Sequence, residues 1–112
     1  MDLDYAMLGQ LTQIFGPSGS EERVAEFIST QLRSYCDELK SDTLGNLMVR
    51  RHGTGKRIMV AVHMDEIGLM ITHIDKDGFL RFTPLGGVRI PNLVDKESSL
   101  AVGRSERSGL KN

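Results

Sequence analysis

Hydrophobic positions change their period along this chain, and the changes mark out its elements. Over residues 3–15, Leu3, Met7, Leu8, Leu11, Ile14 and Phe15 recur at helical spacing. Gly16-Pro17-Ser18-Gly19-Ser20 then punctuates the pattern. Ser18 with Glu21 three residues later matches a capping box, and the acids Glu21 and Glu22 suit the positive end of a following helix. That helix carries Val24, Phe27, Ile28, Leu32 and Tyr35 on one face and fades near Cys36–Asp37. From there the pattern turns extended. Glu38–Thr43 and Leu47–Arg51 read as short strands joined through Gly45-Asn46. Ile58–Val62 is short and continuously apolar, which predicts a central strand buried on both faces. Leu69–Ile74 and Phe79–Thr83 are further strands, with Lys76-Asp77-Gly78 as a tight turn between them. Val88–Val94 has strand character interrupted by Pro91. Beyond Asp95 apolar residues are sparse, and Arg104–Gly109 reads as a solvated tail.

The order predicted is two helices, a hairpin, a buried strand and a second hairpin. One helix pair cannot cover both faces of a buried strand, so further chain or a partner is expected to pack on Ile58–Val62. A length of 112 residues bounds the chain to one domain or part of one. With 39% hydrophobic and 26% charged residues, most of it should fold. A net charge of -1 gives no reason to expect nucleic acid or an anionic membrane as partner. The single cysteine, Cys36, cannot form an intrachain disulfide, which fits a reducing compartment. The acidic start, Met1–Tyr5, lacks the basic and apolar regions of a secretory signal. No apolar run reaches the roughly 20 residues a membrane span needs. A cytoplasmic location is the expectation.

Candidate chemistry concentrates where the apolar run ends, in His63-Met64-Asp65-Glu66. Ligands of open α/β sheets bind at strand C-terminal ends. Asp65 shares a side of the strand with His63 by the period of two, the arrangement in which a carboxylate orients a metal-binding imidazole. A lone histidine is more often structural, and a metal site needs at least two further ligands. Glu66 suits a base, a ligand or a cap acid, and its position leaves all three open. Gly68 points to a bend or a close backbone approach. His52, in a glycine-rich turn, and His73, in a strand, read as structural. Gly53-Thr54-Gly55-Lys56 fails as a phosphate loop, because Arg50 stands at the earlier glycine position and Arg57 follows the lysine. Gly16–Ser20 fails as a nucleophile elbow, since no strand precedes it and Ser20 replaces the last glycine. Asp75–Gly78 offers too few oxygen ligands for a calcium loop. Cys36 has no nearby histidine to activate it.

Four segments in order resemble the N-terminal portion of the M42 metallopeptidases, the glutamyl and deblocking aminopeptidases that include proteins once labelled "cellulase M". They are Gly16-Pro17-Ser18-Gly19 with the acidic helix start, Asp42–Leu47, Val60–Gly68, and Gly78–Phe82 leading to Gly86-Gly87. The resemblance spans residues 3–87. It implies an α/β zinc-exopeptidase core over 1–68, running at 69–87 into the first strands of an inserted β domain. Residues 88–112 stand as an atypical tail. His63 matches the first metal ligand, and Asp65 the catalytic-site carboxylate behind it. Ser18, Asp42 and Asn46 match positions of turn and cap chemistry. The implied reaction releases N-terminal residues from peptides. Two divalent ions, zinc or cobalt, about 3.5 Å apart activate a water and polarise the scissile carbonyl, with a glutamate as base.

The bridging aspartate, the paired glutamates, the further carboxylate and the last histidine of the family have no match here. Asp95, Glu97 and Glu106 stand in other contexts. A shortened gene, or a frame shift near Gly87, would account for this departure. The expectation is a truncated aminopeptidase, inactive alone. Its alternative is a non-catalytic module pairing through sheet edges with full-length subunits, or with a separately encoded remainder. Self-association is implied by the family's dimers and larger shells.

Overall fold

The computed structural model describes residues 5–93, together with 98 and 100. Helix α1 spans Tyr5–Leu11 and helix α2 spans Glu22–Leu32, continued by one 3-10 turn at Arg33–Tyr35. Both fall inside their predicted spans. Helix α1 is shorter than its pattern, because Gln13 and Ile14 donate to Gln10 and Leu11 in tighter turns rather than continuing the α ladder. The capping box does not form. The residue before α2 is Glu21 and no side chain caps the helix. The Glu21 carboxylate instead accepts from the Gly19 N–H at 2.7 Å.

Strands β1 (Glu38–Ser41) and β2 (Leu47–Arg50) pair antiparallel, with Glu38 opposite Arg50 and Ser41 opposite Leu47. Strands β3 (Gly68–Ile74) and β4 (Leu80–Leu85) form a second antiparallel pair, with Gly68 opposite Leu85 and Ile74 opposite Leu80. The register shifts between Ile71 and His73, which leaves Thr72 as the extra residue of a bulge.

The two hairpins turn by one device. Asp42 Oδ1 accepts from Leu44 N and Asn46 N, each at 2.9 Å, and Gly45 holds φ 84°. Asp75 Oδ1 accepts from Asp77 N and Phe79 N, each at 2.9 Å, and Gly78 holds φ 87°. In both, an aspartate closes a turn over itself and a glycine takes the left-handed position that L side chains avoid.

The run Ile58–Val62 departs from its prediction. Among the described residues it forms no strand ladder, and Ile58, Met59, Val60 and Val62 are 81–90% exposed. A central strand is buried only when neighbours pair with both its edges and cover both its faces. Neither hairpin pairs with it. Val24, at 5% exposure, is the one buried hydrophobic side chain among the described residues. The α/β class of the chain stands, but the burial its pattern calls for is not supplied by its own described elements. The predicted strand character of Val88–Val94 gives way to a 3-10 turn at Ile90–Leu93, where Pro91 fixes the backbone. The readings placed on Asp95, Glu97, Glu106 and Arg104–Gly109 lie outside the described residues. No helix among the described residues is long and apolar enough to cross a membrane.

Candidate functional site

The segment following the apolar run is held by the loop between the helices. Pro17 and Glu66 form an isolated parallel bridge. Glu66 N donates to Gly16 O at 2.9 Å, and Gly16 N donates to Glu66 Oε1 at 3.0 Å. Of base, ligand and cap acid, the roles its position leaves open, the Glu66 carboxylate takes none in the structure; it ties this segment to the loop at Gly16. Two glycines make the approach possible. A Cβ on Gly68 would lie 2.9 Å from Pro17 Cβ, and one on Gly16 would collide with Val24 Cγ2. The close approach expected at Gly68 is therefore present, and its partner is Pro17.

His63 and Asp65 come together beside this tie. Asp65 Oδ1 lies 3.0 Å from His63 Nδ1, and Asp65 O lies 3.0 Å from the same nitrogen. An ionised carboxylate and a carbonyl only accept, so Nδ1 carries the proton and donates. Nε2 is then the basic nitrogen, on a side chain 85% exposed. The second carboxylate oxygen, Oδ2, accepts from the Ser18 hydroxyl. This bond holds the Asp65 carboxyl below the usual carboxylate range, aided by the hydrogen bond to His63 and opposed by desolvation. Sequence reasoning assigned Ser18 to turn chemistry and missed the bond. The two residues are 47 apart in the chain, and no local pattern encodes such a pairing.

The remaining histidines lie elsewhere. His52 Nε2 meets Glu38 Oε1 at 3.0 Å, and that oxygen also receives Arg50 Nη1 at 3.2 Å. His73 sits opposite Arg81 on the exposed part of β3. The donor set tests the chain against the two-ion centre that the resemblance implies. His63 offers one outward nitrogen. Asp65 is committed to Ser18 and His63, and Glu66 to Gly16. Among the described residues no three His, Cys, Asp or Glu side chains converge to hold a metal. A complete centre does not fit these residues; one corner of it does.

The chain is similar to solved peptidase structures. The chain superposes on an aminopeptidase of the archaeon Desulfurococcus kamchatkensis with TM-score 0.71 and 43% identity, covering 75% of this chain and 24% of that one. It superposes on the TET1 peptidase of Pyrococcus horikoshii with TM-score 0.68 and 42% identity, covering 76% and 26%. In sequence, it is 52% identical over 84 residues to a putative aminopeptidase of Acetivibrio thermocellus, covering 75% of this chain and 26% of that protein. It is 37% identical over 109 residues to the lysyl aminopeptidase of Pyrococcus furiosus, covering 96% and 32%. The pattern of the M42 glutamyl aminopeptidases matches residues 45–110, and the chain belongs to that family. It spans about a quarter to a third of the length of these relatives.

The family match corrects one expectation. Similarity was expected to stop at Gly87, leaving an unrelated tail. It continues to residue 110, and the alignment with the lysyl aminopeptidase takes in almost the whole chain. A frame shift near Gly87 is therefore overturned. The stretch was misread because it carries no period and no residue cluster, which are the signals that reading relied on.

Proposed function

We propose that this chain is the N-terminal part of a metal-dependent aminopeptidase. Residues 1–68 would be its share of the peptidase core, and 69–87 the first strands of an inserted β domain. His63 supplies one metal ligand through Nε2, and Asp65 orients that imidazole and raises its basicity. The observation that carries this reading is the hydrogen bond from His63 Nδ1 to Asp65 just after the apolar run, which leaves the other ring nitrogen outward. When bound, the ions of such a centre polarise a peptide carbonyl and activate water. The described residues hold no complete set of ligands, so no hydrolytic step is assigned to this chain alone. Peptides with a free N-terminus are the substrate class proposed for the whole enzyme, zinc or cobalt the metals, and the cytoplasm its location.

The test is hydrolysis of amino-acid p-nitroanilides by the purified chain with added Zn²⁺ or Co²⁺. No turnover is expected, and turnover that His63→Gln abolishes would overturn inactivity alone. Turnover that His63→Gln leaves intact would overturn the ligand assignment.

A second reading is favoured by the exposed run Ile58–Val62. The chain would act as a pairing module for family subunits or for a separately encoded remainder, through edges that β-strands readily add to. The Pyrococcus horikoshii relative assembles into a tetrahedron or a large octahedral shell, which supports self-association as a property to test here. Co-purification with a full-length relative would favour this reading, and a monomer indifferent to such a relative would refute it.

A further inference from the structure

We propose that Ser18 is a positioning residue for His63, acting through Asp65. The structure joins three side chains in a row. The Ser18 hydroxyl donates to Asp65 Oδ2, and Asp65 Oδ1 receives the proton of His63 Nδ1 at 3.0 Å. With His63 as its sole partner, the Asp65 carboxylate could turn about its terminal torsion, which is broad and roughly two-fold. Ser18 holds one oxygen and so presents the other to the imidazole.

The loop that carries Ser18 is itself fixed to the same segment. Gly16 exchanges two hydrogen bonds with Glu66, and Pro17 bridges Glu66. Ser18 thus reaches Asp65 from a backbone whose position relative to Asp65 is already set. A turn or cap role does not account for the contact. A capping hydroxyl would accept from a backbone N–H at the start of α2, and no side chain does so there. The Ser18 hydroxyl has one proton to donate, and it is spent on Asp65.

The consequence is a fixed tautomer. Nδ1 keeps the proton and Nε2 keeps its lone pair outward, the form in which an imidazole ligates a metal. The purpose rests on the proposed ligand role of His63, but the relay can be tested with no metal present.

The experiment is imidazole ¹⁵N NMR on the full chain labelled at histidine, metal-free and at pH about 7.5, above the ordinary histidine value. His52→Gln and His73→Gln assign the His63 signals. Wild type should show the Nδ1–H tautomer. Asp65→Asn should lose that signature, Ser18→Ala should lose it in the same direction, and Ser18→Thr, which keeps the hydroxyl, should retain it. Wild-type signals of the Nε2–H tautomer overturn the relay. So does Ser18→Ala with the wild-type tautomer while Asp65→Asn shifts. Should Ser18→Ala displace the loop, seen as a shifted Glu66 amide, Ser18→Thr decides: retention upholds the relay, and loss overturns it. A chain with the wild-type tautomer that binds zinc unaffected by His63→Gln would sink the ligand role and leave the relay standing.

Discussion

Two adjoining stretches of this chain meet opposite fates. Residues 58–62 are apolar and exposed, and make no hydrogen bond to any other described residue. Residues 63–68, next along the chain, are tied to the loop 16–18 by backbone and side-chain bonds. The apolar run needs surfaces that only other elements can give it. The segment after it needs only a loop some 50 residues earlier, which this chain contains. Hydrophobic pattern records what the complete fold buries, while polar contacts form wherever both partners are present. The candidate site is therefore better built here than the apolar run that leads into it.

The most disruptive change to this contrast is Gly16→Ala. Its Cβ has no room against Val24, and overpacking of this kind typically costs about 1–3 kcal/mol. Amide hydrogen exchange at Glu66 should accelerate markedly, while exchange in the β3–β4 hairpin stays unchanged. Unchanged protection at Glu66 would show that the loop and the segment after the apolar run are not held as described.

A pH titration should have a smaller effect, and its sign is fixed. Asn46, through its side chain and its backbone N–H, holds the Asp42 carboxyl below its ordinary value against desolvation, with the Leu44 N–H adding to the effect. A carboxylate lowered by folding stabilises above its ordinary range and loses that contribution as pH falls through the lowered value. The β1–β2 turn should therefore loosen in acid and not in mild alkali, read from the Asn46 amide shift. Asp65 is lowered in the same sense, so its bond to Ser18 should fail over an acid range too. Loosening of either on the alkaline side would contradict the account.

The smallest effect belongs to the apolar run. Val60→Thr or Ile58→Thr should change the stability of this chain by less than about 0.5 kcal/mol, as exposed positions do. The same changes should lower self-association, measured by sedimentation. A large loss of stability would mean that Ile58–Val62 is packed within the chain after all.

Much of the fold was legible in the sequence. Both hairpins were placed within a residue or two, because Asp42-x-x-Gly45 and Asp75-x-x-Gly78 are local chemistry that closes a turn unaided. Helix α2 was legible from the period of Val24, Phe27 and Ile28. The pairing of His63 with Asp65 followed from the two-residue spacing along an extended chain. What stayed hidden depends on distant partners. The Ser18 hydroxyl was available for a cap, and only the docking of its loop turns it toward Asp65. The exposure of Ile58–Val62 could not be read from residues that are themselves fit for burial. The continuation of family likeness past Gly87 lacked any periodic signal to reveal it.

The central proposal is that His63 is an oriented ligand in a metal site that the described residues do not complete. Calorimetric titration of the whole chain with Zn²⁺ tests it most directly. The account predicts weak binding of one ion at most, abolished by His63→Gln. Tight binding of two ions per chain, or binding indifferent to His63→Gln, would contradict it.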